Sequence, residues 1–281
     1  MAKRSTRHVI KRIGLYFLLA TIALLMVGPF LWMLATSLKS PGEMFAFPLR
    51  LIPHAASAES YNEVVRRMPF LLFVFNSFKI ASLATVGQIL SCSLAAYAFS
   101  RMKFKAKEFI YFVLLATMMI PSQVTMIPVF LIMKFLGWID THYALFVPAF
   151  FGGAFGTFLL RQFFSTIPQD LEDAARIDGC GRFRLYWQIF MPLSKPAIAT
   201  LAIFSFMGYW NDLLNPVIYL SSLEKMTLTV GLATLQGAEG TMLRYNVVMA
   251  GAVISVLPIL ALYIAAQKWF VRGITMTGLK G

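Results

Sequence analysis

Residues 167–192 read IPQDLEDAARIDGCGRFRLYWQIFMP, and this polar stretch interrupts a chain that is otherwise strongly apolar. Four of the twelve acidic residues of the chain fall within it: Asp170, Glu172, Asp173 and Asp178. The pattern predicts two short helices around a glycine turn. Thr166 and Gln169 have the spacing of a capping box, and Pro168 suits a first helical turn.

The first of these helices carries small side chains. Leu171, Ala174 and Ala175 lie at positions i, i+3 and i+4, so they are expected to share one face of the helix. Two alanines on that face leave little bulk. The face is therefore predicted to let another surface approach closely.

Glycines separate the two predicted helices. Gly179 is expected to end the first helix, because glycine adopts the left-handed conformation most easily, and Gly181 loosens the turn that follows. The second helix is predicted over roughly 183–190. Proline cannot continue a regular helix without losing a hydrogen bond, so this helix is expected to end near Pro192.

The same stretch resembles the cytoplasmic coupling loop of binding-protein-dependent ABC importer permeases. That motif runs Glu-Ala-Ala, three residues, Gly, nine residues, Ile, one residue, Leu-Pro. The matching positions in this chain keep the spacing and are Asp173, Ala174, Ala175, Gly179, Ile189, Met191 and Pro192. Asp173 replaces Glu and Met191 replaces Leu. The shorter Asp173 side chain puts its reach towards a basic group of the partner in doubt.

The composition indicates a membrane protein. Of the 281 residues, 59% are hydrophobic and only 13% are charged, which lies well outside the usage of soluble domains. The net charge of +13 invites a nucleic-acid interpretation, but the placement of the basic residues fits membrane orientation better. The two cysteines and three histidines lack metal-ligand spacing, so neither a disulfide, a metal site nor a cofactor is predicted.

Apolar runs predict six membrane-spanning helices, and the fold class is therefore an all-α integral membrane protein. The first run carries no charge over 24 residues, which is too long for the apolar region of a signal peptide, so it is interpreted as an uncleaved span. Internal prolines predict kinked helices. The segments are 13–36, 71–99, 109–133, 143–164, 197–220 and 246–267.

Lysine and arginine counts predict the orientation. With the N-terminus in the cytoplasm, the inner segments carry 17 basic residues and the outer loops carry 7. This orientation gives a cytoplasmic N-terminal tail (1–12), a six-span domain (13–267) and a cytoplasmic C-terminal tail (268–281). The loop 165–196, between spans four and five, then faces the cytoplasm. In the outer loop 38–70, residues 57–68 are predicted to form a surface helix.

Asp212 is the clearest candidate for a residue on a transport path, because ionisable residues inside spans are costly and usually functional. It follows Trp210 and Asn211, and Pro216 lies four residues later, which predicts an irregular helix lining a cavity. The run Tyr-Trp-Asn-Asp-Leu-Leu resembles the fifth-helix signature of sugar-type permeases. The alternative is that Asn211 and Asp212 join two helices or cap a helix break.

Three further features have a structural interpretation or a short match. Asn76 and Ser77 are interpreted as helix-packing groups, and Gly152 with Gly156 suits close packing of helices.

The C-terminal tail resembles that of the smaller permease subunit of maltose-type importers, where the tail reaches the ATPase dimer. The matching residues here are Gly278, Lys280 and Gly281. The alternative for this tail is a disordered basic segment near anionic lipid.

The resemblance implies a permease subunit of an ATP-driven importer of the carbohydrate-uptake class, in a bacterial or archaeal cytoplasmic membrane. It implies four further partners: a homologous second permease, two copies of an ATPase and an external substrate-binding protein. The chain has no Gly-rich nucleotide loop of its own, so ATP hydrolysis is expected in the partner. Glycerol-3-phosphate or its diesters are the alternative to a sugar or oligosaccharide.

Two rival classes stay open at this stage. An ion-coupled secondary transporter usually carries several ionisable groups in its spans and repeated halves, whereas this chain offers one clear Asp and no evident repeat. A membrane anchor that docks a cytoplasmic protein through 167–192, and transports nothing, is the other. An enzyme is not predicted, because no nucleophile and base set is evident.

Overall fold

The computed structural model describes residues 2–44, 47, 51–237 and 245–277, and the regular elements among them are helical. The chain forms two compact units, one within residues 1–69 and 232–257 and the other within 70–231 and 258–281. The α-helices are α1 (Ala2–Ser37), α2 (Glu59–Arg67), α3 (Phe70–Arg101), α4 (Lys107–Ala116), α5 (Ser122–Phe135), α6 (Tyr143–Phe146), α7 (Ala154–Thr166), α8 (Gln169–Ile177), α9 (Arg182–Leu185), α10 (Met191–Leu193), α11 (Lys195–Trp210), α12 (Leu214–Tyr219), α13 (Leu228–Gly237) and α14 (Tyr245–Thr277).

Four helical stretches of the described chain are long and apolar enough to cross a membrane: Lys11–Ser37, Phe70–Arg101, Tyr143–Thr166 and Tyr245–Ala265. Two further pairs of helices qualify only if each bent pair counts as one span. α4 and α5 with their connecting turn meet at 103°, and the helical stretch Arg182–Leu193 meets α11 at 79°. The described residues therefore offer four to six spans, and the count of six stays a prediction.

The third predicted segment, 109–133, is not one continuous helix. A short 3₁₀ turn, Thr117–Met119, follows α4, and Ile120 takes an extended backbone conformation before Pro121. Proline disfavours the helical conformation of the residue before it, so the break falls where the sequence requires it. The sequence predicted a kink here, and the bend proves sharper than a kink.

Long helices also occupy both predicted tails. α1 begins at Ala2, so residues 2–12 are helical and lead into the first apolar stretch, Lys11–Ser37. α14 runs on to Thr277, so residues 268–277 are helical as well. Lysine and arginine are good helix formers, which lets a spanning helix extend beyond its apolar part. The division into two cytoplasmic tails and a six-span domain stays a prediction.

The unit within residues 1–69 and 232–257 joins α1, α2 and the beginning of α14. α2 lies within the predicted surface helix 57–68 and packs through Val64, whose side chain is fully buried. The Ser37 and Tyr61 hydroxyls are hydrogen-bonded at 2.7 Å, and the Asn246 amide donates to the Ser60 hydroxyl at 3.1 Å. α2 is thus fastened to both long helices of this unit.

α3 is the central helix of the other unit and packs against α7, α11 and the 3₁₀ turn Val147–Phe151. The approach of α7 is close because a Cβ at Gly156 would lie 2.7 Å from the Cys92 sulfur. A Cβ at Gly153 would collide with the Gln88 amide, whereas Gly152 has open space and a φ of +99°. The small residues at this contact are therefore Gly153 and Gly156, and the predicted Gly152 ends the preceding turn instead.

Asn76 and Ser77 pack α3 against a later loop, as the sequence predicted. The Asn76 amide donates to the carbonyls of Glu224 and Met226 at 2.9 and 3.0 Å, and the Ser77 hydroxyl accepts from the Leu228 backbone at 2.8 Å. Both side chains are buried. They satisfy backbone groups at the beginning of α13 and are therefore structural.

The connection between α5 and α6 is tied to the same loop by Asp140. Its carboxylate accepts hydrogen bonds from the Ser222 hydroxyl and from the Ser221 and Ser222 backbone, and it pairs with Lys225 Nζ at 3.0 Å. The Ser222 hydrogen bonds, followed by those of Ser221 and Lys225, hold the pKa of Asp140 well below its usual range. Asp140 is therefore ionised at neutral pH and secures this loop.

Candidate functional site

The candidate site begins where α7 meets α8. Thr166 is the last residue of α7, and its hydroxyl donates to the Phe163 carbonyl at 2.7 Å instead of capping α8. Pro168 occupies the N-cap position of α8, one residue before the helix begins at Gln169. The predicted capping box is therefore wrong, because the Thr166 side chain already has a partner one turn back. The helix itself is confirmed.

α8 ends as the sequence predicts. Gly179 has a φ of +78°, in the left-handed region. Its backbone N–H donates to the Arg176 carbonyl at 3.0 Å, and the Cys180 N–H donates to the Ala175 carbonyl at 2.9 Å. This pair of bonds is a Schellman motif, which satisfies carbonyls that the helix end would otherwise leave free.

The two faces of α8 differ from the prediction. Ala175 is only 7% exposed and Glu172 only 5%, so both side chains face this chain. Ala174 and Asp173 are exposed, and Leu171 is 44% exposed. Ala175 therefore does not share the outward face with Ala174. It supports α8 from beneath and lets the helix lie close to its own chain.

Glu172 lies at the centre of a buried charge cluster. Its carboxylate accepts from Arg176 Nη2 at 2.6 Å, one turn along α8, and lies 3.9 Å from Arg101 Nη1 at the end of α3. The side chains of Glu172 and Arg101 are only 6% and 11% exposed. This pair joins α8 to α3.

Arg101 makes further contacts that hold three elements together. One guanidinium nitrogen donates to the backbone carbonyls of Phe164, at 2.6 Å, and Ile167, both at the end of α7. The guanidinium carbon lies 5.1 Å from the centre of the Phe190 ring. In the sequence, Arg101 is only one of the basic residues that predict the orientation. Its role depends on partners far along the chain, and no local pattern marks it.

The segment after Gly181 is helical but irregular. α9 gives way to a π-helical turn, Tyr186–Phe190, and α10 follows to Leu193. The helical segment ends at Leu193, in agreement with the predicted stop near Pro192. In a π turn each backbone N–H bonds to the carbonyl five residues back instead of four. This change of hydrogen-bond pattern lets the helix continue past Pro192, which has no N–H to donate.

Two aromatic side chains anchor this segment in the core. The Tyr186 hydroxyl is hydrogen-bonded to the Ser93 hydroxyl on α3 at 2.7 Å. The Phe190 ring lies 5.0 Å from the Tyr97 ring and 5.5 Å from the Phe164 ring. Edge-to-face contacts of this kind favour one packing arrangement. The segment beyond Gly181 is therefore packed firmly against α3 and α7.

The remaining positions of the coupling-loop motif divide between surface and core. Gly179 and Pro192 are exposed, whereas Ile189 packs beside the buried cluster that contains Phe190. The exposed positions of the motif thus lie in α8, in the glycine turn and in α10. The inward positions hold them against the membrane helices.

A second candidate site lies where α11 ends. The helix stops at Trp210, and Asn211 and Asp212 form a break before α12, as the sequence predicts. The Asp212 carboxylate accepts from the Asn215 backbone at 3.2 Å and from its side-chain amide at 2.8 Å. Asp212 therefore caps the turn into α12, which is the structural alternative that the sequence left open.

The same Asp212 also lines an open cleft of about 400 Å³ between α3, α7 and α11. Tyr209 and Gln88 line it too, and the Tyr209 hydroxyl donates to the Gln88 amide oxygen at 3.3 Å. Trp210 does not line the cleft, because it is 2% exposed and stacks on Phe206. Asn211 is exposed next to the cleft without being part of its wall.

The predicted contact residues of the C-terminal tail, Gly278, Lys280 and Gly281, lie outside the described residues. The helical residues that precede them belong to α14.

Residues 87–276 match the model of the family described as the binding-protein-dependent transport system inner membrane component. The chain belongs to this family. The match covers α8, the Schellman turn, the π turn and the break at Asp212. It is therefore the family's membrane component, a transport protein and not an enzyme.

Curated relatives of this permease span nearly its whole length. The sulfoquinovosyl glycerol transport system permease of Agrobacterium fabrum is 34% identical over 95% of this chain and 94% of its own. The arabinooligosaccharides permease of Bacillus subtilis is 31% identical over the full length of both. The sn-glycerol-3-phosphate permease of Yersinia enterocolitica is 33% identical over 83% of this chain and 84% of its own.

Solved structures agree with the fold. A chain of a bacterial ABC transporter involved in the import of the acidic polysaccharide alginate is 27% identical, with a TM-score of 0.81 over 93% of this chain and 96% of its own. A second alginate transporter chain, in a complex with an alginate-bound periplasmic protein, is 14% identical, with a TM-score of 0.65 over 92% of this chain and 94% of its own. The second likeness concerns the fold alone.

Gly179 offers a test of the helix end. A non-glycine residue at its φ of +78° costs about 1–2 kcal/mol, and a β-branched one costs more. We expect Gly179→Val to lower the ATP turnover that substrate stimulates in the assembled transporter, while substrate binding outside the membrane is unchanged.

Gly179→Asn is the matched control, since asparagine tolerates the left-handed conformation and the site has open space around it. Normal stimulated turnover in purified assemblies of Gly179→Val would show that the left-handed turn is dispensable.

Proposed function

We propose that this permease is a subunit of an ATP-driven importer that carries a sugar or oligosaccharide and couples to a cytoplasmic ATPase through residues 167–192. The observation that carries the proposal is the construction of α8. Its outer face is exposed, and its inner face is bound to α3 and α7 through Glu172 and Arg101. A surface helix that is attached in this way can transmit a displacement caused by the partner to the membrane helices.

The outer face of α8 suits a groove on the partner ATPase. Ala174 provides a small central position, and Leu171 and Ile177 are exposed apolar side chains on either side. Asp170 and Asp173 add exposed negative charges. The partner groove is therefore expected to be apolar at its centre and basic at its rim.

The route of transmission follows the contacts of the inner face. Closure of the ATPase dimer would move α8, and the Glu172–Arg101 pair would pass the movement to α3. Phe190 and Tyr186 would carry it in parallel, because they pack among α3 and α7. A movement of this kind is driven only by the difference in binding free energy between the two conformational states.

The cleft beside Asp212 is the proposed substrate path. It presents a carboxylate, an amide and a phenol hydroxyl from Asp212, Gln88 and Tyr209. These groups pair with sugar hydroxyls, and the neighbouring Phe155 and Phe204 rings offer faces on which a sugar ring can stack. Carbohydrate-transporting relatives support this substrate class.

The complete transporter is expected to contain a second, homologous permease, two ATPase subunits and an external substrate-binding protein. Both termini and the loop 165–196 are proposed to face the cytoplasm.

Glycerol-3-phosphate or a diester is the second candidate substrate, and the 33% identical Yersinia permease favours it. The acidic Asp212 in the cleft favours an uncharged sugar, because it would repel a phosphate.

Reconstitution tests the proposal. The permease is co-expressed with a candidate ATPase and a candidate second permease from the same organism, placed in vesicles, and supplied with a binding protein and labelled oligosaccharide. Uptake is expected to require ATP on the side of the vesicle membrane that carries the cytoplasmic face of the permease. It is expected to persist without an ion gradient. Uptake that depends on the ion gradient and not on ATP would favour a secondary transporter. Binding of the ATPase without any uptake would favour a membrane anchor.

Asp212 allows the path to be tested apart from the helix break. Asp212→Ser keeps a side chain that can cap α12 but removes the carboxylate from the cleft. Since a hydrogen bond to a charged group contributes about 1.5–3 kcal/mol, we expect uptake to fall about tenfold or more, with ATPase association intact. Asn211→Ser is the control, because Asn211 lies outside the cleft wall. Equal uptake by the two variants would reduce Asp212 to a cap.

A further inference from the structure

A pocket of about 330 Å³ lies beneath α8, on the side away from the outer face of the helix. It is lined by five basic side chains, from Arg101, Lys103, Lys107, Arg176 and Arg182, and by the Glu172 carboxylate. Glu172 pairs with Arg101 and Arg176, which leaves a strong excess of positive charge in the pocket. None of the proposed transport steps uses Lys103, Lys107 or Arg182.

We propose that this basic pocket binds the phosphate of an anionic lipid from the cytoplasmic leaflet. Basic pockets that lie between spanning helices on the cytoplasmic side are suited to lipid head groups. The inference rests on the cytoplasmic placement of the loop 165–196 proposed above. It adds a ligand class and a site that transport itself does not require.

The position of the pocket along the helices favours a lipid over a soluble anion. Arg101 is the last residue of the long apolar helix α3, and Lys107 is the first residue of α4. Both therefore lie at the end of an apolar segment, where a bilayer meets water. Lys103 and Arg182 are exposed and can reach a head group there.

An acyl chain also has a surface to lie on. α4 leaves the pocket at Lys107, and its next turns expose Phe109, Phe112 and Val113 by 67%, 67% and 47%. A lipid whose phosphate occupies the pocket can therefore lay its apolar chain along α4. A free phosphate would use the charges alone and would leave this apolar strip uncovered.

The charges of the pocket are available to a ligand to different degrees. Arg101 is committed to the backbone carbonyls of Phe164 and Ile167. Lys107 donates to the Met102 carbonyl at a long 3.4 Å and lies 3.9 Å from the 68% exposed Glu108 carboxylate. A phosphate therefore competes with weak partners for Lys107, and we assign the main contacts to Lys103, Lys107 and Arg182.

The test is lipid binding to the intact transporter complex purified in a non-ionic detergent and analysed by native mass spectrometry. The complex is titrated with phosphatidylglycerol and, separately, with phosphatidylcholine of the same chain length. The test variant combines Lys103→Gln, Lys107→Gln and Arg182→Gln. The control combines Lys105→Gln and Arg184→Gln, which remove exposed charges from the same two segments but not from the pocket.

We expect the native complex to retain phosphatidylglycerol in preference to phosphatidylcholine. The triple variant should lose at least about tenfold in affinity for phosphatidylglycerol, since one direct hydrogen bond to a charged phosphate contributes about tenfold or more. The control should change by less than about threefold. Equal binding by the triple variant and the control would overturn the proposal.

Two further outcomes would overturn it in an informative way. If millimolar inorganic phosphate displaced phosphatidylglycerol fully and bound with the same dependence on the three residues, the pocket would be a soluble-anion site. If the triple variant lost its ATPase in detergent without lipid, the pocket would be part of the ATPase interface. A native chain that holds no ATPase at all would instead contradict the proposed function, and the lipid titration of the permease would still stand.

Discussion

Replacement of Ala174 by arginine is expected to abolish capture of the ATPase by this permease in detergent-solubilised membranes. Ala174 lies at the exposed centre of α8, where a small side chain allows close approach of a second surface. An arginine there fills that space and places a charge against an apolar groove. Burying an unpaired charge at an interface costs several kcal/mol of binding free energy, which is enough to abolish docking through a single short helix.

The neighbouring alanine provides a contrast. Ala175 is 7% exposed and faces its own chain, so Ala175→Arg should destabilise the permease itself and is a poor probe of docking. Ser165→Arg, which adds the same side chain at an exposed position on α7, is the matched control. Retention of the ATPase by Ala174→Arg at the native level, with α8 still folded, would remove α8 from the interface.

The turn residues of the site follow from the sequence alone. Gly179 can adopt the left-handed conformation because it has no Cβ to clash with the backbone. Pro121 forces the preceding residue out of the helical conformation. In each case one residue type decides the local backbone. The break at Asp212 follows from the polar pair of Asn211 and Asp212, which lies four residues before Pro216.

Other features depend on groups that are distant in sequence. The outward direction of Ala174 and the inward direction of Ala175 are set by the side of α8 that meets α3 and α7, and a three-residue pattern is compatible with either. Arg101 is similar, because its significance comes from carbonyls on α7 and a carboxylate on α8. Positive-inside counting registers its charge without revealing its burial.

The division of the aromatic residues before Asp212 is a further case. Tyr209 reaches the cleft wall, whereas Trp210 points into the core against Phe206. Adjacent residues on a helix point in different directions, so a signature that names both cannot have both in one cleft. Gln88, the partner of Tyr209, lies on α3 and has no local signal in its sequence neighbourhood.

The Arg101–Glu172 pair is expected to give a large stability effect. Removing one partner of a buried ion pair costs about 3–5 kcal/mol, because the remaining charge is left without compensation in a poorly solvated place. Arg101→Met also leaves the carbonyls of Phe164 and Ile167 without their donor at the end of α7. We therefore expect Arg101→Met to destabilise the permease by about 3 kcal/mol or more, measured as a lower thermal unfolding temperature in detergent.

Arg176→Gln is the matched control for this pair. Arg176 bonds to the same carboxylate at 2.6 Å, but its own side chain is 52% exposed, and Glu172 keeps Arg101 as a charged partner when Arg176 is removed. We therefore expect Arg176→Gln to unfold at a temperature between those of Arg101→Met and the native permease. If Arg101→Met and Arg176→Gln unfolded together, the buried arginine would not be what holds α8 to the membrane helices.

The effect on coupling separates a mechanical role from a purely structural one. Arg101→Lys keeps the positive charge near Glu172 but loses the planar group whose two terminal nitrogens reach Glu172 and the α7 carbonyls at the same time. Because α8 would then be tied to α3 but no longer to α7, we expect a partial recovery of stability and a continued loss of substrate-stimulated ATP turnover. Full recovery of both by the lysine would mean that charge alone is sufficient and that the bridge between α3 and α7 carries no part of the coupling.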